Sequence, residues 1–328
     1  WYPSAEYETN NTVKNVGLFD LTPFSKFEIK SDKAHQELQK ICTANIKNEP
    51  GKCVYTHMLN SDGGIETDLT VVCVDKNHFR IISSAATRER DKFHINKHLS
   101  KNVELKDITD DLCVFGLFGP KSRDLLKTLS KDNFENDQFR FGFAKFITID
   151  GVKIWTQRLS YVGELGYELY VDLKDAKKIY ELLIEKGKDF NLSNCGMHAM
   201  DIMRMESGFL HWGHDISPEE NQYQAGLAFT ISNKKDVDFI GKQALEKIKQ
   251  DKVKTRFSMF TLKESEPGKP LLLHDEPIYD GEKIIGRSTS GNYSFNFKKN
   301  LVFGYINNDL SNEELQTKNL FIEVEKKK

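Results

Sequence analysis

At 328 residues, with 38% apolar and 29% charged residues, the chain is long enough for two or three domains and apolar enough to bury a core, which excludes an unfolded chain. A formal net charge of −2 argues against a broad nucleic-acid surface and leaves room for a local basic entrance to an anionic ligand. No run of about 18 apolar residues occurs, so no membrane span is expected, and no charged start leads into an apolar stretch with a small-residue cleavage site, so export is not expected.

Residues 16–30 end in strand-like alternation after a Thr-Pro turn, and residues 32–42 read as an amphipathic helix with Asp32 as N-cap and Ala34, Leu38, Ile41 and Cys42 on its apolar stripe. Residues 53–59 and 67–74 are β-rich and flank Asn60-Ser-Asp-Gly-Gly64, a turn by composition. A strand is expected over 79–83, then a helix over 87–99 with Phe93 facing inward. A short buried strand over 114–118 ends at Gly119-Pro120, and a helix with Leu125, Leu126 and Leu129 follows. Residues 130–138 read as a polar linker. Strands over 143–149 and 152–158 meet at Asp150-Gly151, a two-residue hairpin signal. Helices are expected over 174–188 and 196–208.

Near residue 246 the texture changes. Residues 246–254 form a charged connector, and short β-rich runs at 257–262, 271–274, 283–289 and 301–306 suit a small all-β module. The reading is a mixed α+β body over 1–245 and a C-terminal β domain over 246–328, ending in a solvated tail at Lys326–Lys328.

The five cysteines, Cys42, Cys53, Cys73, Cys113 and Cys195, form no CxxC pair, so a disulfide framework and a zinc site are not expected and a reducing compartment fits better. No dinucleotide GxGxxG, P-loop or HExxH occurs. His94 and His98 have helical spacing, and with nothing nearby to complete a metal site they are expected on an exposed helix face.

Three segments carry candidate chemistry. In Tyr55-Thr-His-Met-Leu-Asn60 and Gly63 to Asp68, the Gly-rich turn brings two strands together, so Tyr55 and Asp68 can face one another. Spacing by itself favours a solvated strand acid at Asp68. In Ser160-Tyr-Val-Gly-Glu-Leu-Gly-Tyr-Glu168, glycines and aromatics surround carboxylates. Aromatic faces stack on a flat ring and a carboxylate accepts paired N–H donors. A tight turn with Glu164 in solvent explains the same composition. In Asp201-Ile-Met-Arg-Met-Glu-Ser-Gly208, followed by His211-Trp-Gly-His-Asp215, Arg204 suits planar carboxylate recognition or a structural ion pair with Asp201 or Glu206.

Taken together with Val16-Gly-Leu-Phe-Asp20, Ala86-Thr-Arg-Glu-Arg-Asp91, Gly119-Pro120, Asp238-Phe-Ile-Gly241 and Thr289-Ser-Gly291, these segments resemble, in order, the aminomethyltransferase family: the glycine-cleavage T protein and the folate domains of dimethylglycine and sarcosine dehydrogenases. Leu21-Thr-Pro-Phe-Ser-Lys-Phe27, Tyr161 to Glu168 and His211 to Asp215 look nearer to the dehydrogenase branch.

The resemblance implies an α+β cloverleaf of three subdomains around a central folate channel, with a middle subdomain at about 51–140 interleaved in the body and a small C-terminal β-barrel-like domain. It implies tetrahydrofolate as cofactor and Asp68 as the catalytic acid, with Thr67 standing where many T proteins carry a second acid. Tyr55, Glu168, Glu164, Tyr161, Arg204 and Arg88 become the implied folate-binding residues. The implied reaction takes a one-carbon unit from an N-methyl or aminomethyl amine and yields 5,10-methylene-tetrahydrofolate. Direct methyl transfer to folate and a non-catalytic folate-binding regulator remain open alternatives; the latter type carries a reactive cysteine where Asp238-Phe-Ile-Gly-Lys242 here has none, and Cys195, the nearest, is expected to be structural.

No flavin-binding segment is present, so the dehydrogenase branch implies a separate flavoprotein partner or a flavin domain upstream of this piece. The start at Trp1 fits either a trimmed start or a piece of a longer protein. The expected compartment is the cytoplasm, or the mitochondrial matrix in a eukaryote.

Overall fold

A computed structural model of the chain describes residues 1–307 and 311–326 and contains three sheets. The tail expected at Lys326–Lys328 lies, beyond Lys326, outside the described residues. The first sheet has six strands in the order Leu192–Cys195, Val16–Asp20, Leu112–Phe118, Gly166–Asp172, Val152–Gln157, Ala144–Ile149. Only the Leu192–Cys195 and Val16–Asp20 pair is parallel. The second sheet orders Cys53–Leu59, Ile65–Asp75, His78–Ser83, Ser25–Lys30 and Leu105–Asp107, all antiparallel. The third holds Thr255–Thr261, Lys299–Asn307, Lys283–Ser294, Pro277–Asp280 and Leu320–Ile322, again all antiparallel.

Strand alternation decides which faces meet. In Gly166–Asp172, Tyr167, Leu169 and Val171 point into a core with Leu117, Leu125, Ile154 and Ile179. Tyr170 points to the opposite face and joins Phe19, Phe118, Trp155, Cys53 and Val72 in a second core. Cys53 and Val72 belong to the second sheet, so this core joins the two sheets. Glu168 shares the Tyr170 face, because side chains two apart on a strand lie on one side. Its carboxylate is therefore carried towards the junction.

The turn between Cys53–Leu59 and Ile65–Asp75 is closed by Asn60, whose Oδ1 accepts from the backbone N–H of Asp62 and Gly64. Gly63 adopts a φ of +86°, and a Cβ on Gly64 would stand 1.9 Å from the Pro218 carbonyl oxygen. Both positions therefore require glycine.

Several local expectations change. Phe93 is 70% exposed, and the helix Arg88–His98 buries Asp91, His94 and Ile95 instead. His94 is thus buried rather than on an exposed face, and burial holds its imidazole low, near 4. The stretch read as a polar linker carries Phe134 into the first core beside Phe139. Residues read as a charged connector form the helix Lys242–Asp251, which packs Leu245 against Leu59 and Ile65. The helix at 34–41 starts after Lys33, and Asp32 does not cap it. The helix Tyr2–Lys14 escaped detection because its buried positions include Thr9, Asn11 and Thr12. Among the described residues no helix is long and apolar enough to cross a membrane.

The body and the third sheet meet at a buried ion pair. Arg204, 2% exposed on the helix Met197–Glu206, donates from Nη1 to Asp215 Oδ2 at 2.5 Å, from Nε to Asp201 Oδ1 at 2.8 Å and from Nη2 to Ser290 Oγ at 2.8 Å. Asp215 also accepts from the His211 N–H, Thr289 Oγ1 and Ser290 Oγ. Removing one partner of a buried pair leaves the other charge uncompensated, at about 3–5 kcal/mol. Asp215→Ala is therefore expected to lower stability by about that amount, read as a lower urea midpoint at unchanged slope. A loss below about 1 kcal/mol would show that this junction does not depend on the pair.

Candidate functional site

Asp68 sits in the strand Ile65–Asp75, opposite His57 in the ladder; Tyr55 pairs with Thr70, one diagonal step away. The Tyr55 hydroxyl hydrogen-bonds the Asp68 carboxyl and approaches His57 Nε2 at 3.2 Å. His57 Nε2 lies 3.8 Å from Asp68 Oδ1. Tyr55 and Asp68 thus meet as expected, with His57 between them. The Tyr55 residue is 39% exposed while its hydroxyl lies inside the group, so the ring forms part of the rim.

Asp68 keeps 17% of its side-chain surface and no Lys or Arg pairs with it among the described residues. Burial pushes its carboxyl up to about 7, the Asp91 charge adds to the rise, and the Tyr55 hydroxyl bond opposes it. His57 is fully buried, which pulls its imidazole down to about 3 and keeps it neutral near pH 7. Its Nδ1 meets Thr230 Oγ1 and Gln222 Nε2, each at 3.1 Å. Thr230 Oγ1 donates to the Leu227 carbonyl at 2.7 Å. The neutral ring is therefore clamped from behind and presents Nε2 to Tyr55 and Asp68.

Thr67, at the position of the second acid in the resembled motif, donates to Asp91 Oδ1 at 3.2 Å. Thr87 donates to Asp91 Oδ2 at 2.6 Å. A second buried carboxyl therefore does lie near Asp68, contributed by the helix Arg88–His98 rather than by the strand.

Glu168 lies on the first sheet, close to Cys53 of the second. Its one hydrogen-bond donor among the described residues is the Tyr170 hydroxyl, at 2.8 Å. Burial pushes its carboxyl up to about 7 against that bond, and its charge raises the Cys53 thiol on the second sheet. Tyr161 feels both Asp68 and Arg204, donates to the Leu210 carbonyl at 2.9 Å and stacks on Phe209 at 5.9 Å. Gly163 holds a φ of +78°, and a Cβ there would stand 2.1 Å from Ser207 Oγ. That turn places Glu164 near Glu206, and burial and the Glu206 charge raise its carboxyl.

Tyr55, Asp68 and Tyr161 are thus brought together, and Glu168 stands near Cys53, two residues before Tyr55 on the same strand. Arg204 lies behind Tyr161, with its donors engaged by Asp201, Phe209, Asp215 and Ser290. Arg88 is not brought to the group. It forks onto Asp107 and Asp110 beside a surface hollow of about 450 Å³ that also involves Asp20, Thr22 and Leu173. Sequence reading missed His57, Gln222, Thr230 and Asp91. His57 stood in plain view between Tyr55 and Asp68, and its parity with Tyr55 on one strand was the available signal. Burial raises the Cys195 thiol, which bonds to Thr12 and Ser193, so it lacks the thiolate character of a reactive cysteine.

Residues 1–235 match the GCVT N-terminal domain, and residues 256–328 match the glycine cleavage T-protein C-terminal barrel domain. The chain is 36% identical over 294 residues to 4-methylaminobutanoate oxidase (formaldehyde-forming) of Paenarthrobacter nicotinovorans, covering 89% of this chain and 35% of that protein. It is 33% identical to mitochondrial dimethylglycine dehydrogenase of Rattus norvegicus, covering 95% and 36%. Against the aminomethyltransferase of Halothermothrix orenii it is 32% identical, covering 92% and 83%. It spans about a third of the length of the first two. The glycine cleavage system aminomethyltransferase T of Bartonella henselae shares its fold, with a TM-score of 0.85 at 20% identity over 98% of this chain and 86% of that one. The chain belongs to the glycine cleavage T-protein family, the folate-dependent aminomethyltransferase type.

Proposed function

We propose that this chain transfers a one-carbon unit from an N-methyl or aminomethyl amine, of the dimethylglycine, sarcosine or glycine type, to tetrahydrofolate, forming 5,10-methylene-tetrahydrofolate. The observation that carries the reading is Asp68, a ligand-accessible carboxyl poised near neutrality by burial, held by Tyr55 and backed by neutral His57. A carboxyl with a value near the working pH is suited to proton transfer.

The residues present fit a pterin. Glu168 has one protein donor and keeps acceptor capacity for a pair of N–H groups. Tyr55 and Tyr161 supply ring faces, and Glu164 stands at the rim. Arg204 acts as a positioning residue through the Phe209–Asp215 segment.

Tetrahydrofolate, when bound, supplies the nitrogen nucleophile. Asp68 accepts the proton released at the amine nitrogen, and its negative charge opposes positive charge on the donor carbon. The Tyr55 hydroxyl fixes the carboxyl's orientation, and the His57 clamp prevents its retreat into the sheet. An N-methyl donor must be oxidised by two electrons before its carbon reaches the product's oxidation level. We assign that step to a flavoprotein partner or to a flavin domain upstream. The lengths of the relatives named as an oxidase and a dehydrogenase, about three times the matched region, support this. Five free cysteines suit the cytoplasm or the mitochondrial matrix.

Asp68→Asn is expected to retain tetrahydrofolate binding and lose about 10²–10⁴-fold in transfer, the worth of a placed base. Formation of 5,10-methylene-tetrahydrofolate at the unaltered rate would remove Asp68 from the role, and 5-methyl-tetrahydrofolate as product would replace this reading with direct methyl transfer. Only ionised Asp68 accepts a proton, so transfer should fall as pH drops through about 7 and level off above it. A profile flat across roughly one pH unit on either side of that value would contradict this. Glu168→Gln should weaken tetrahydrofolate binding by roughly tenfold or more in calorimetry, since hydrogen bonds to a charged group are the stronger kind. An unchanged dissociation constant would count against Glu168.

A further inference from the structure

Among the described residues, thirteen buried side-chain polar atoms have no hydrogen-bond partner, and five of them fall on the four consecutive residues Trp155, Thr156, Gln157 and Arg158. Gln157 supplies two, because its Nε2 and its Oε1 are both unpaired while the residue is fully buried. A buried carboxamide with neither bond made is rare in a folded protein and calls for a partner.

Gln157 stands directly opposite Glu168 in the ladder between Val152–Gln157 and Gly166–Asp172. Opposed residues of an antiparallel pair share a face, with Cβ atoms about 4.5–5.5 Å apart. The row continues to Ala144 on one side and Gly116 on the other, so neither flank offers the carboxamide a polar side chain. Glu168 is half-buried, and the other members of the row are buried.

We propose that Gln157 is a second pterin-recognising residue, whose carboxamide accepts from N8–H and donates to N1 of tetrahydrofolate while Glu168 holds the 2-amino and N3–H groups. This rests on the folate reading above. N3–H, the 2-amino group, N1 and N8–H follow one another along a single edge of the heterocycle. Two donors at one end suit a carboxylate. An acceptor and a donor separated by one carbon, at the other end, suit a carboxamide, whose own oxygen and nitrogen are separated in the same way. Neither terminal atom of Gln157 has a protein partner that would fix its orientation, so the amide turns to match the ligand.

The pairing also discriminates oxidation state. N8 of folic acid carries no hydrogen and presents a lone pair, so Gln157 Oε1 gains nothing from it. Gln157 therefore favours the reduced cofactor, whereas Glu168 serves both forms alike.

The test is calorimetric titration of the whole chain with tetrahydrofolate, kept reduced, and with folic acid. Gln157→Leu and the near-isosteric Gln157→Met are compared with Glu168→Gln, each first checked for an unaltered melting profile. Either Gln157 variant is expected to weaken tetrahydrofolate by roughly tenfold and folic acid by much less, shrinking the preference for the reduced form. Glu168→Gln is expected to weaken both and leave the preference in place. An unchanged preference in the Gln157 variants, or an equal loss for both ligands, overturns the Gln157 assignment while the loss in Glu168→Gln leaves the folate reading standing. Failure of the unaltered chain to bind tetrahydrofolate overturns both.

Discussion

The carboxylate of Asp215 accepts from Arg204, from the His211 backbone N–H and from the hydroxyls of Thr289 and Ser290. These donors come from a helix, a loop and the third sheet, and all converge on one buried acid. Tyr305 adds a bond to the Asp215 backbone carbonyl. A buried charge must be paired and fully hydrogen-bonded or it is lost to protonation. The chain meets that demand by bringing Ser290 and Thr289 of the third sheet onto the body, so the demand itself fixes how the two join. The Phe209–Asp215 segment is held in the same grip, and it is the segment on which Tyr161 rests.

The opposite strategy operates at Asp68 and Glu168. Each is half-buried with one tyrosine hydroxyl and no cation, and both rise to about 7. Removing water penalises the charged form, and a single neutral donor does not compensate. One molecule thus contains a fully satisfied acid that joins its parts and two under-satisfied acids that await something from outside. Perturbed acids that lack a structural partner are where chemistry is expected.

The second core explains why both acids lie at the junction of two sheets. Trp155, Tyr170, Phe118, Cys53 and Val72 press the first and second sheets together. Strand parity then carries Glu168 and Gln157 to that junction from one side, and Tyr55, His57 and Asp68 from the other. The Asn60–Gly64 turn sets the register that puts His57, rather than Tyr55, directly opposite Asp68.

What the amino-acid sequence determined by itself was local or ordered along the chain. The hairpin glycines at Gly63 and Gly64, the Asp150-Gly151 turn and the alternation in the strands are set by backbone sterics and the period of two, which act within a few residues. The succession of motifs from Val16 to Gly291 marked the family. The tertiary structure alone decided which polar residues are buried and with whom. Phe93 reads as core and lies in solvent, whereas Asp91 and His94 on the same helix turn inward. Arg204 reads equally as a ligand fork or an ion pair until Asp215, eleven residues on, is seen closing on it. His57 and Gln157 are distinguished by an environment assembled from segments far apart in the chain, up to 173 residues in the case of His57 and Thr230. Burial and hydrogen-bond satisfaction are properties of that assembly, and they set the charge state on which the chemistry depends.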